Sequence, residues 1–190
     1  MGILTSNWLF DSIFKWTGWK LSGNIPHHLK KCIVIVCPHA TWVDFPVGLG
    51  TRSTLKRNIY FWGKKELFNG PFGWLFKILG GYPVDRSKHS NLVDSIVDIF
   101  NSKEEFLAVL APEGTRKDVQ ELKTGFYYIA KLANIPIVMV GFDYVNKKII
   151  VNEPFTPTGD FEIDKIEIAK FYATVPGVQK SWIKNYLKTA

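Results

Sequence analysis

Cys32-Ile33-Val34-Ile35-Val36-Cys37-Pro38-His39-Ala40-Thr41-Trp42-Val43-Asp44 is the stretch on which the fold turns. Its first six residues form a continuous, β-branched apolar run, the signature of a strand buried on both faces of a parallel sheet. Pro38 has no N–H for a ladder, so the chain turns there. His39 therefore lies just past the C-terminal end of a core strand, where open α/β sheets bind their ligands. Asp44 follows five residues later. On one continuous helix the two side chains would stand about 140° apart, whereas across a strand–turn–helix corner they can meet. A carboxylate then fixes the imidazole tautomer and leaves the second nitrogen to take a proton from a hydroxyl. A turn histidine beside a helix-capping aspartate has the same spacing, so the pair needs support from elsewhere in the chain.

Three further segments share this grammar. Phe106-Leu107-Ala108-Val109-Leu110-Ala111 is a second buried-strand run, stopped by Pro112 and followed by Glu113-Gly114-Thr115-Arg116. A strand end, a proline, a permissive glycine and an arginine make an anion-binding loop, or, read more plainly, a polar turn. Gly80-Gly81-Tyr82-Pro83-Val84-Asp85-Arg86 is a glycine hinge, a short extended piece and an Asp-Arg pair that would serve equally as a surface ion pair. Ile135-Pro136-Ile137-Val138-Met139-Val140 reads as a packing strand.

Taken in order, His39…Asp44, Gly80…Asp85-Arg86, Pro112-Glu113-Gly114-Thr115-Arg116 and Ile135-Pro136-Ile137-Val138 resemble the four sequence blocks of the glycerolipid acyltransferase family, the lysophosphatidic acid acyltransferases and their relatives. Lys64-Lys65-Glu66-Leu67 with Gly73-Trp74, and Lys123-Thr124-Gly125, resemble what that family carries between its blocks. The likeness runs from about Cys32 to Val140. It implies a single α/β domain of the glycerol-3-phosphate acyltransferase-like kind, a mostly parallel twisted sheet flanked by helices. It also implies transfer of a fatty acyl group from acyl-CoA or acyl carrier protein to a lysophospholipid or glycerol-phosphate hydroxyl, lysophosphatidic acid foremost. The resemblance makes His39 the base and Asp44 its orienter. It places Lys64, Arg86, Glu113, Gly114, Thr115 and Arg116 around the acceptor's phosphate. Pro38 stands where many members have Asn, and Tyr82-Pro83 where bulky aliphatics are usual; both flank the region where acceptor preference is set.

Composition agrees with this reading. The chain has 190 residues, 46% of them hydrophobic, enough for one domain with a sizeable core. Cys32 and Cys37 point to opposite faces of one strand and cannot bridge each other, and a reducing compartment follows. No Cys/His spacing suggests a metal, and no cofactor is expected beyond the acyl donor as co-substrate. The net charge of +7 suits an anionic bilayer, CoA or carrier protein. Nucleic acid is set aside, because no binding motif accompanies the basic residues and they are scattered among bulky aromatics.

No apolar run reaches the roughly 18–20 residues of a spanning helix, and Asp11, Lys15 and Lys20 break up any secretory signal. Residues 1–20 read instead as an amphipathic helix for a membrane interface, ahead of an acyltransferase domain over residues 21–190. Ile3, Leu9, Phe10, Ile13, Phe14 and Trp16 share one broad face, and Asn7, Asp11 and Lys15 the other. Trp8 and Trp19 fall outside the apolar face and would be left in water unless a bilayer received them. The expected location is peripheral, at the cytoplasmic face of a membrane. Phe68 to Leu79, aromatic and flanked by Lys64, Lys65 and Lys77, is a second lipid-facing candidate. Elsewhere the pattern predicts a strand over Asn58–Trp62, helices over Asn91–Phe100 and Leu122–Leu132, a hairpin turning near Tyr144 into Lys147–Val151, and helix from Asp164 to Leu187 broken at Pro176-Gly177. His27, His28 and His89 read as surface residues.

An acyl thioester is already activated, and nothing resembles the G-x-S-x-G elbow of a serine nucleophile. Direct attack by an acceptor hydroxyl deprotonated by His39 is the economical mechanism, with Glu113 orienting an arginine or a hydroxyl. A hydrolase, with water in the acceptor's place, and a catalytically silent lipid-binding scaffold on the same fold are the alternatives.

Overall fold

Seven strands form one sheet in the order β1-β7-β6-β2-β5-β3-β4. The computed structural model describes residues 8–39, 41–84 and 92–188, and the following elements are among them. They are α1 (Trp8–Trp16), β1 (Lys20–Ser22), β2 (Lys31–Cys37), α2 (Asp44–Leu55), β3 (Ile59–Lys64), α3 (Lys65–Asn69), α4 (Gly73–Ile78), β4 (Gly81–Val84), α5 (Leu92–Ser102) and β5 (Phe106–Leu110). The chain continues through α6 (Gly125–Leu132), β6 (Ile137–Asp143), β7 (Lys148–Val151), α7 (Phe161–Ala173) and α8 (Ser181–Lys188). Among the described residues every strand pair is parallel except β6 with β7, which form the expected hairpin. The mostly parallel α/β sheet flanked by helices is thus as the sequence implied.

Both faces of the sheet are buried, which is why its central strands lack a polar alternation. Ile33, Ile35 and Cys37 of β2, Phe106 and Ala108 of β5, and Ile137 and Met139 of β6 point to one face, where α5 to α8 add Phe100, Phe126, Tyr172 and Trp182. Cys32 and Val34, Leu107, and Val138 and Val140 point to the other, under Phe14 of α1 and Val47 and Leu55 of α2. The two cysteines sit in opposite cores, both free and buried.

The structure redraws the N-terminal helix. Phe14 is buried, Trp8, Leu9, Ile13 and Trp16 are exposed, and Trp19 is only 8% exposed. Trp19 therefore needs no bilayer: it stacks near Phe14 and meets Tyr144 edge-on. Asp11, expected on the solvent side, accepts a hydrogen bond from Thr54 Oγ1 at 2.8 Å. Apolar residues nearly encircle this short helix, so the sequence pattern did not say which of them faces the domain. Phe14 seats against Gly50 of α2, where a Cβ would lie 2.8 Å from the phenylalanine.

Smaller differences have local causes. α6 starts at Gly125 rather than Leu122, and in the loop before it the Leu122 N–H donates to the Tyr186 hydroxyl at 2.8 Å. α7 starts at Phe161, with Asp160 capping the Glu162 N–H at 2.9 Å. β1, only three residues long, carries no apolar run and was missed.

Gly141 offers a test of the packing between β6 and the segment after α7. A Cβ there would lie 2.4 Å from Val175 Cγ2. Gly141→Ala is expected to cost about 1–3 kcal/mol by overpacking, seen as a lower Tm. Adding Val175→Ala to the same chain should recover part of that loss; an unchanged Tm in the first variant would show that the contact yields freely.

Candidate active site

β2 ends at Cys37, and a cis Cys37–Pro38 peptide begins the turn that carries His39. α2 opens with Asp44, an acidic residue in the first turn where the helix dipole favours negative charge. Across this corner His39 Nδ1 meets Asp44 Oδ2 at 2.9 Å. Asp44 is buried and the imidazole is about one-third exposed. With Nδ1–H on the carboxylate, Nε2 is the nitrogen left for chemistry. The carboxylate is further held by the Thr41 N–H to Oδ2 and the Thr41 hydroxyl to Oδ1, both 3.1 Å. Asp44 thus reaches back from the first residue of α2 to hold the turn at Thr41. Tyr144, from the start of the β6–β7 turn, also donates its hydroxyl to Asp44 Oδ1.

The loop after β5 lies beside this corner because β5 pairs in parallel with β2, Ile35 opposite Leu110. Glu113 does not take the phosphate-side place that the resemblance implied. Its carboxylate is buried behind His39, where Oε2 accepts the His39 backbone N–H at 2.8 Å. Oε1 takes the Trp182 indole N–H at 3.3 Å and pairs with Lys180 at 3.1 Å. Glu113 therefore orients neither an arginine nor a substrate hydroxyl; it pins the backbone of His39. Burial, and next the neighbouring Glu113 charge, push the Cys37 thiol far above its ordinary value, so it stays an inert thiol here.

Gly114, Thr115 and Arg116 line the same cavity as His39 and Asp44, together with Lys123. Gly114 has φ +64°, a backbone conformation that favours glycine, and it packs close under the flexible Lys123 side chain. Lys123 is a site residue that the sequence reading quoted without giving it a role. Arg116 is exposed at the mouth. Arg86 and the Lys64 side chain lie outside the described residues. The cavity measures about 930 Å³ and runs over Val34, Val36, Leu55, Phe61 and Phe142, an apolar interior with the dyad and the cations at its opening. Among the described residues no group of three or more His, Cys, Asp or Glu is placed to hold a metal ion.

The acyltransferase family model matches residues 20–143. A 1-acyl-sn-glycerol-3-phosphate acyltransferase of Streptococcus pneumoniae is 32% identical over 133 residues, 65% of this chain and 49% of that protein. The 1-acyl-sn-glycerol-3-phosphate acyltransferase beta of Homo sapiens is 26% identical over 168 residues, 84% of this chain and 59% of its own length. This chain therefore spans about half the length of the curated relatives it matches. The crystal structure of the 1-acyl-sn-glycerophosphate acyltransferase PlsC from Thermotoga maritima superposes with a TM-score of 0.59 over 90% of this chain and 78% of that one, at 18% identity. At that identity the superposition speaks for the fold.

Proposed function

This chain belongs to the acyltransferase family, and on that premise we propose that it moves a fatty acyl group from acyl-CoA or acyl carrier protein to the free hydroxyl of a lysophospholipid or glycerol-phosphate, lysophosphatidic acid first among them. The observation that carries the reading is the His39–Asp44 pair, 2.9 Å apart, at the opening of a largely apolar cavity of about 930 Å³. A cavity of that size and lining suits an acyl chain. The cations at its mouth suit the phosphate of an acceptor.

His39 Nε2 takes the proton of the acceptor hydroxyl as its oxygen attacks the thioester carbonyl. Asp44 stabilises the imidazolium that forms. The tetrahedral oxyanion collapses, the carbon–sulfur bond breaks, and the imidazolium returns its proton to the departing thiolate. Base catalysis of this kind supplies about 10²–10⁴-fold, and holding two substrates in line supplies much of the rest. Arg116, joined by Arg86 and Lys64, binds the phosphate; a guanidinium forks onto two oxygens where an ammonium offers a single point charge. Gly114 and Thr115 shape the loop that presents Arg116. The peripheral site on the cytoplasmic face of a membrane, where acyl donor and lysolipid meet, is part of the proposal. Support for it comes from exposed Trp8, Leu9, Ile13 and Trp16 on α1, Trp42 beside the dyad, and Phe72 and Trp74 around α4. Among the described residues no helix is long and apolar enough to cross a membrane.

Purified protein, a labelled acyl donor and a panel of lysolipids test the reading by product mass. His39→Ala should lower kcat by about 10²–10⁴-fold with the fold intact. Arg116→Ala should raise the acceptor KM about ten- to a hundredfold for phosphate-monoester acceptors and little for uncharged ones. Release of free fatty acid at the same rate without any acceptor would turn the reading to a hydrolase, and no turnover at all to a scaffold.

The cavity makes a separate prediction. Gly48 of α2 lines it, and a Cβ there would meet nothing within 4 Å. Gly48→Leu should therefore project into open space, leave Tm unchanged or raise it, and shift donor preference to shorter acyl chains. An unaltered chain-length profile would place the acyl chain elsewhere.

Membrane contact is tested by point changes, because Phe14 and Trp19 belong to the core and deleting residues 1–20 would remove them. Trp8→Ser with Trp16→Ser should weaken sedimentation with anionic liposomes and leave Tm unchanged, whereas Phe14→Ser should lower Tm. Undiminished liposome binding in the double variant would take α1 out of the contact.

A further inference from the structure

Tyr144 sits one residue past β6, a hundred residues from Asp44 in sequence, and no part of the mechanism above uses it. Its hydroxyl donates to Asp44 Oδ1, the oxygen that does not face His39. Its ring is fixed independently of that bond: Trp19 meets it edge-on, with centroids 5.4 Å apart at 84°, and Phe142 lies 6.2 Å away. Trp19 in turn stacks with Phe14 of α1 at 6.3 Å. The turn that carries Tyr144 is locked by Asp143, which accepts the Asn146 backbone and side-chain N–H groups at 2.9 and 2.8 Å. The same turn is tied to the exit of α1, since Lys20 N–H donates to the Lys147 carbonyl at 2.9 Å and Lys147 Nζ to the Thr17 carbonyl at 3.1 Å.

We infer that Tyr144 is a positioning residue of the dyad, its hydroxyl setting the rotation and charge of the Asp44 carboxylate, and that Trp19 makes this setting depend on how α1 is seated. The inference rests on the reading of His39 as base. Thr41 holds both oxygens of the carboxylate through bonds of 3.1 Å, and a second, independently fixed donor on Oδ1 tightens that hold and keeps Oδ2 on Nδ1. That donor also draws negative charge away from Oδ2. Burial, and then the Asp44 carboxylate, raise the Tyr144 phenol well above its ordinary value, so it donates at every working pH. The other charged or titratable groups around the pair are Glu113 behind His39, Arg116 and Lys123 across the cavity mouth, and Arg52 along α2. None of them is the group that fixes Oδ1 here: the Thr41 and Tyr144 hydroxyls donate to it.

Tyr144→Phe keeps the ring and removes only the hydroxyl, and acyl-transfer kinetics across pH read the result. The variant should lose about five- to thirtyfold in kcat at an unchanged acceptor KM. The acidic limb of its kcat/KM profile should move up by about half a pH unit, because a less neutralised carboxylate holds the proton on the imidazole more firmly. A role confined to packing would move Tm and leave that limb in place. Trp19→Leu should reproduce part of the kcat loss when Tyr144 is present and add nothing to Tyr144→Phe. If Tyr144→Phe keeps the native kcat and pH profile while His39→Ala is inactive, the positioning role is overturned and the base reading stands. An active His39→Ala protein overturns the base reading itself. A rise in acceptor KM alone would make Tyr144 a substrate contact, and additive losses in the double variant would sever the link to α1.

Discussion

The parallel pairing of β2 with β5 is the constraint on which the site depends. It brings two proline-terminated strands to the same edge of the sheet, so the loop after one stands beside the loop after the other. Across that gap runs one hydrogen bond, from the His39 backbone N–H to the buried Glu113 carboxylate. A buried carboxylate is tolerable only when its lone pairs are engaged, and here a backbone amide, an indole and an ammonium engage them. The imidazole is thus held at both ends: its ring by Asp44, its backbone by Glu113. Rigidity of this order is what the proposed base would need to stand in line with a second substrate.

Buried cations do a parallel task on the other face. Arg57 donates to the carbonyls of Pro26 and Leu29 and so fastens the loop that leads into β2. Arg52 donates to the Leu79 carbonyl at 2.7 Å and joins α2 to the end of α4. Burial pulls the Arg52 guanidinium below its ordinary value, far too little to discharge so strong a base at neutral pH. Backbone carbonyls give both charges a hydrogen-bonded setting, and Glu105 adds a carboxylate 3.7 Å from Arg57. Among the described residues, Arg116 and Lys123 are the exposed cations in the cavity's lining.

The sheet was readable because β2, β5 and β6 are continuous apolar runs bounded by turn residues, and His39 and Asp44 were readable because a proline marks where the first run must end. What escaped was decided by partners far away in the chain. Glu113 looked like a phosphate-side residue, since Lys180 and Trp182 stand almost seventy residues on and no local pattern ties them to it. Tyr144 was seen only as the end of a strand. α1 was misjudged for a different reason: with Trp8, Leu9, Phe10, Ile13, Phe14 and Trp16 in nine residues, the helix has more apolar surface than one face holds. Which part turned inward was fixed by the gap at Gly50, a property of α2.

The residues that complete the site arrive in the order 39, 44, 113, 144, 180 and 182 along the chain, and the last two belong to the segment that leads into and opens α8. A polypeptide emerging from the ribosome presents the imidazole well before the groups that secure it. Until α8 has docked, Glu113 lacks its indole and ammonium partners, and nothing locks the His39 backbone. Competence therefore waits on a distant segment: a nascent chain grown past Asp44 already has the dyad's two residues, yet stays unpoised until α8 is made.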